Sequence, residues 1–441
     1  MMRKILSVLL ITVMMVTAIS AETVIVDIEK SVKLALENNL GLKSSRLDVA
    51  INKRAADLSW NRFIPTVQAS GTMMRWNTEQ IFLPRWGLSA GLDISLTLNY
   101  ALLKEIEGTK IDYAAGLISY KTALKQLERD VKKNFYNILV FEENLWLMEQ
   151  NIEAAYNRFE QAKINYRNGL VPELSVLSAQ VGYENLKPAM TEMKLGYATM
   201  LDGFKMLLGI DLNTDLVLSG EIIVETVNLD TAKLTNLFLS GRLDIQSLNK
   251  TVFGLENAKS ALKLQTMTPM LSLGLNFDPA YALDPWENNW FEDMGTNWNQ
   301  QSGMFRMTLA MSLDSFLPWS AAQTGIQDME DGISQAKLGL AQTRIGAEME
   351  IKTLVMQLNK SKEQLETLNF NIRLAEKAHQ MSQEAYDAGS RELLEVEDSE
   401  RDLNTAKLEV LKEKYNYITG LLDLAYALNA SLSEIKESSN E

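Results

Sequence analysis

From Leu117 onward, apolar side chains recur every seven residues through Leu124, Val131, Ile138, Leu145, Ile152 and Phe159 to Tyr166. The intervening positions, from Tyr120 and Leu127 to Met148 and Ala162, are apolar or aromatic as well, with Asn134 the exception. A seven-residue repeat sustained over this distance makes a coiled-coil seam. The helix it predicts, from about Ala101 to Asn168, would extend roughly 100 Å at 1.5 Å per residue. Helices this long cannot bury themselves in one globule, so the chain must build a rod or a tube.

The same pattern is written twice. A second seam runs through Ile351, Leu358, Leu365, Ile372, His379 and Tyr386, with Ser361 and Ser382 among its intervening positions. Tyr166-Arg-Asn-Gly169 is followed by Leu174 and Val176, and Tyr386-Asp-Ala-Gly389, 220 residues on, by Leu394 and Val396. Upstream, Pro65 and Pro269 each precede an alternating stretch. Gly169-Leu-Val-Pro172 reads as a helix end and a helix start, with Gly on the C-terminal side and Pro in the new first turn. Gly389 has the same place in the second copy. These signals divide the mature chain into repeats over 22–225 and 226–430, with helical turns at about 168–174 and 388–394 and a polar C-terminal tail over 431–441.

Each repeat carries two segments of period two. Leu88 to Leu98 alternates apolar with polar residues without a break, and Phe305 to Leu313, Leu271 to Phe277 and Val67 to Met73 follow the same rule. Strands are predicted at about 66–76, 88–100, 270–277 and 304–314. The longest has the length of a membrane-spanning β-strand. Trp76, Trp86, Tyr100 and Trp319 stand at strand ends, where aromatic belts meet the membrane interface. Alternation alone also suits a soluble sheet with one buried face. The N-terminus favours the membrane: Arg3 and Lys4 precede an apolar run to about Ile19 and then Ser20-Ala21-Glu22, the layout of a secretory signal over 1–21 cleaved after Ser20 or Ala21. Four strands cannot close a barrel, and an open edge in lipid leaves backbone groups unsatisfied at several kcal/mol each. The strands must be shared between copies: two chains would supply eight and three would supply twelve.

Composition narrows the chemistry. With no cysteine and a single histidine, thiol catalysis, disulfides and thiolate metal sites are excluded. A formal charge of −14 argues against nucleic acid as a partner. No Gly-rich phosphate loop, metal-ligand cluster or nucleophile–base pair is found. The chain reads as neither an enzyme nor a holder of metal or cofactor.

The order, duplication and spacing of these features resemble the TolC-like outer-membrane efflux protein family. The resemblance is carried by Ser31-Val-Lys-Leu-Ala-Leu-Glu-Asn-Asn39, the helix ending at Pro65, Arg242-Leu-Asp244 leading to Pro269, and the two Tyr-x-x-Gly turns. It implies a homotrimer with a twelve-stranded outer-membrane barrel, four strands per chain, and a coiled-coil α-helical tunnel in the periplasm. It further implies docking of the helical turns, at Gly169, Pro172 and Gly389, onto a periplasmic adaptor and an inner-membrane pump of an efflux or type I secretion system. Aligned on Gly389, the family's narrowed periplasmic aperture falls on Glu395 and Asp398. Arg391 and Tyr386 match residues that hold the closed state. The acidic position often found on the first-copy turn helix reads Ser175 here, which leaves the nearby Glu173 as the candidate partner.

Glu395 and Asp398, three residues apart, share one helix face, and a threefold axis would bring six carboxylates into a ring that repels itself and attracts cations. Their neighbours Glu392, Glu397 and Glu400 read as a solvated acidic face. His379, on the seam, reads as a packed and hydrogen-bonded side chain, and Pro188 as a source of helix curvature. The insert 278–303, with Trp286, Trp290, Trp298 and five acids, reads as an extracellular surface loop. The competing reading is an exported coiled-coil stalk, structural or adhesive, that binds through that loop.

Overall fold

The computed structural model describes residues 24–77, 86–281, 302–388, 390–391 and 393–440. The leader, Gly389 and the tryptophans of the insert lie outside the described residues. The chain divides into two compact units, each built from both sequence repeats: one holds the residues up to Ser45, Lys121–Leu243 and Ile345 onward, and the other holds Arg46–Tyr120 and Asp244–Arg344.

The second unit contains an antiparallel sheet of β2 (Thr66–Arg75), β3 (Trp86–Leu98), β5 (Met270–Phe277) and β7 (Gly303–Ala310), in the order β2-β3-β5-β7. A two-residue strand β6 (Ala280–Tyr281) pairs with β3 beside it. The register carries the period-two pattern across all four long strands. Val67, Ile94, Leu275 and Phe305 form one continuous row, and Thr66, Ser95, Gly274 and Arg306 form a row of the opposite face. On the apolar face Val67, Phe305 and Leu309 are 65%, 67% and 72% exposed within this chain. The alternation of the fourth strand continues to Leu313, but β7 stops at Ala310, opposite Met270. The residue before Met270 is Pro269, which has no N–H to offer a ladder, so pairing ends there and a single 3-10 turn, Asp314–Phe316, follows.

The other unit holds most of the residues of four long helices whose lengths repeat. Helix α3 (Ala101–Arg167) has 67 residues and α4 (Glu173–Leu208) has 36; α7 (Ala321–Asp387) and α8 (Leu393–Leu428) have 67 and 36 again. The preceding helices are α1 (Ile28–Asn38) and α2 (Leu40–Asp57), and α5 (Thr231–Phe238) and α6 (Leu243–Met267) stand between the copies. Seam residues form the core in the middle of the long helices. Val131 and Ile138 are fully buried, and Ile351, Leu358 and Leu365 pack with Tyr417, Leu424 and Leu428 of α8. The contact between α3 and α4 is aromatic, with Phe135 against Phe204, Phe141 stacked on Tyr197 and Tyr156 against Tyr183 at ring separations of 6.4, 6.4 and 5.3 Å.

Three features were not apparent from periodicity. A parallel two-stranded ribbon joins β1 (Val24–Val26) to β4 (Leu216–Leu218) and buries Val26, Leu216 and Leu218. The polar stretch read as a tail forms α9 (Leu432–Asn440), whose Ile435 is 1% exposed. Its start is a capping box: the Ser431 N–H donates to the Glu434 carboxylate at 2.6 Å and the Glu434 N–H to Ser431 Oγ at 3.2 Å. Arg242, part of the sequence signature, is buried and donates to Glu350 at 2.7 Å, so its role is structural.

Two contacts position the waist of this unit and can be tested. Gly209 ends α4 with φ of 71°, and a Cβ there would stand 2.6 Å from the Asn38 carbonyl. Gly209→Ala should therefore destabilise the protein by about 1–3 kcal/mol, whereas Gly182→Ala, within α4 and facing open space, should stabilise it by about 0.5–1 kcal/mol. Thermal melts followed by circular dichroism separate the two, and equal melting temperatures would refute the close approach. The Val227 N–H donates to the hydroxyl of buried Tyr417 at 2.8 Å. Tyr417→Phe removes that acceptor and should cost about 1–2 kcal/mol, read in the same melts.

Candidate gate at the helical turns

The two helical turns are built alike at the backbone. In the first, the Leu170 N–H donates to the Asn165 carbonyl at 2.9 Å and Gly169 takes φ of 74°, the left-handed conformation that glycine adopts without a Cβ penalty. Pro172, extended, then stands at the N-cap of α4. In the second, the Ser390 N–H donates to the Ala385 carbonyl at 2.9 Å, the same bond in the same place of the repeat. Gly389 itself lies outside the described residues. Glu173 is exposed in the first turn of α4, where the positive end of the helix dipole favours a carboxylate.

Glu395 and Asp398 occupy the first turns of α8, with side chains 48% and 52% exposed. Each has a cation of its own chain beside it: Arg391 donates to Glu395 and Arg401 to Asp398. Exposed pairs of this spacing are weak, about 0.3–0.5 kcal/mol, so they hold the carboxylates loosely and leave them open to other partners. Arg391, matched by the resemblance to a residue that holds the closed state, is engaged here with Glu395 of its own chain. Tyr386 is half-buried near the end of α7. His379, on the seam, shares a hydrogen bond with Ser399 Oγ through Nδ1 at 3.2 Å, which ties α7 to α8.

Sequence reasoning missed the contacts between α3 and α8. Glu400, read as part of a solvated acidic face, is only 19% exposed and pairs with Arg158, itself 21% exposed. Asn404 donates to Asn151 of α3, Lys133 binds Asp423 at 2.9 Å, and the Arg129 guanidinium lies 4.3 Å from the centre of the Tyr426 ring. The signal was present in principle, because all these residues fall into line when the two helices are set antiparallel. Periodicity along one helix does not say which helix lies beside it. No group of acids and histidine that could hold a metal ion occurs among the described residues.

Comparison with known proteins agrees with this architecture. The model of the family described as "Outer membrane efflux protein" matches residues 31–203 and 279–430. The fold is similar to that of CusC, a transmembrane channel, at 18% identity and a TM-score of 0.72, covering 93% of this chain and 94% of that one. It is also similar to the Campylobacter jejuni CmeC outer membrane channel (17% identity, TM-score 0.74, 93% and 89% covered). The open state of the Neisseria gonorrhoeae MtrE outer membrane channel aligns at 17% identity with a TM-score of 0.69, covering 92% and 89%. No curated protein matches the sequence. The stalk reading finds no support, because the family match takes in helices and strands of both repeats. With the family model matched over most of the chain, this protein belongs to the outer membrane efflux protein family.

Proposed function

We propose that three copies of this chain form a passive duct. Their four-stranded sheets close into one twelve-stranded outer-membrane barrel and their long helices form the periplasmic tunnel. The observation that carries this reading is the pair of edges, β2 and β7, left unpaired among the described residues on a sheet with one continuous apolar face. In hydrocarbon each unsatisfied backbone group costs several kcal/mol, and pairing β7 of one copy with β2 of the next satisfies both edges. Membership in the family, one of transport channels, places the protein in the outer membrane as an efflux channel. The repeats over 22–225 and 226–430 then each supply half of every copy's strands and helices.

In this reading the turns at Gly169, Pro172 and Gly389 dock onto a periplasmic adaptor, and energy comes from an inner-membrane pump of an efflux or type I secretion machine. Glu395 and Asp398 from three copies narrow the periplasmic end, with Arg391, Tyr386 and Glu173 as closed-state contacts. Support comes from their place on one exposed face of the first turns of α8 and from the weakness of the pairs that now hold them.

Single-channel recording in planar bilayers tests this. The mature protein should show a small, cation-selective conductance, and the Glu395→Ala/Asp398→Ala double variant a larger and less selective one. Equal conductance and selectivity in the two would remove the gate and leave the duct. An absence of channels from a preparation shown to be folded would remove the duct.

A further inference from the structure

Resting on the gate reading above, we propose that Arg158 and Glu400 form the latch that keeps the first turns of α8 seated, so that the movable part of the gate ends at this pair. The contacts between α3 and α8 form an antiparallel ladder that approaches the turns in steps: Lys133 with Asp423, Asn151 with Asn404, Arg158 with Glu400. Arg158–Glu400 is the last of these. Beyond it, the described side-chain bonds of α8 stay within its own segment or reach α7. Arg391 binds Glu395, Arg401 binds Asp398, and Ser399 bonds the Val396 carbonyl and His379. Among the described residues, no hydrogen bond or ion pair joins α3 to α8 closer to the turns.

The latch also differs in kind from the pairs below it. Arg158 and Glu400 are 21% and 19% exposed, against 53% and 48% for Arg391 and Glu395. A pair largely removed from water contributes little when intact, but losing one partner strands the other charge. Glu400 lies five residues from Glu395, about 7.5 Å along the helix, so rotation that hydrates Glu400 also moves the aperture carboxylates. The two halves of the latch are not equivalent. An Arg deprived of its partner can extend its long stem toward water, whereas a stranded Glu has little reach and must be hydrated by moving the helix.

The test compares conductance of the full-length mature protein in planar bilayers. Arg158→Ala should raise the time-averaged conductance about fivefold or more, as loss of a net charged hydrogen bond would, and Glu400→Ala should raise it less. The reversed pair, Arg158→Glu with Glu400→Arg, should restore the parent value. Lys133→Ala, which breaks a rung far from the turns, should leave conductance unchanged. Should Arg158→Ala not assemble, Glu400→Gln removes the ion pair while keeping the shape and must still raise conductance. Parent-like conductance in Arg158→Ala while the Glu395→Ala/Asp398→Ala channel opens would overturn the latch and keep the gate. Failure of the reversed pair to restore the parent value would also overturn it. If the aperture variant and Arg158→Ala both behave like the parent, the gate reading itself falls.

Discussion

A β-sheet cannot leave its edges open in a membrane, and the other features of this chain accommodate that rule. Hydrocarbon offers nothing to the N–H and C=O groups of an unpaired strand. Among the described residues, the sheet β2-β3-β5-β7 has two such edges and one apolar face. Its polar face, with Ser95, Gly274 and Arg306 in one row, suits the lumen of a barrel and not a protein core. Within the described residues Val67, Phe305 and Leu309 of the other face are largely exposed, which suits contact with lipid.

Helices solve the same problem by a different route. Each satisfies its backbone internally, so their task is to bury a seam. The equal lengths of α3 and α7, and of α4 and α8, mean that the two copies turn at equivalent points. Both turns use the same bond from the residue after the glycine position to a carbonyl five residues back. The waist is fixed by close backbone approach at Gly209 and by the Tyr417 hydroxyl, with α9 packed through Ile435. A polar seam joins α3 to α8, and its last rung among the described residues lies near the turns, where Glu395 and Asp398 stand.

The candidate site was only partly legible in advance. Glu395 and Asp398 could be placed on one helix face because spacing along a helix is a local property. The engagement of Arg391 with Glu395, four residues on, was open to the same rule. Glu400 could not be told from its solvated neighbours, because its burial depends on Arg158, 242 residues earlier in the chain. The helix within the polar tail escaped notice for a related reason. Its only strongly apolar residues are Leu432 and Ile435, too few for periodicity to register, yet the buried Ile435 is enough to seat a helix once a hydrophobic surface is present.

The sequence by itself determined the elements whose causes are local or periodic. These are the long heptad helices, the alternating strands, the Gly–Pro turns, the duplication and the absence of thiol chemistry. Each follows from residues a few positions apart, where geometry is dictated by the chain itself. Only the tertiary structure decided which helix lies beside which, where the fourth strand stops, that β1 pairs with β4, and that Arg158 meets Glu400. Those outcomes depend on contacts between distant segments, and a pattern within one segment carries no record of its neighbour.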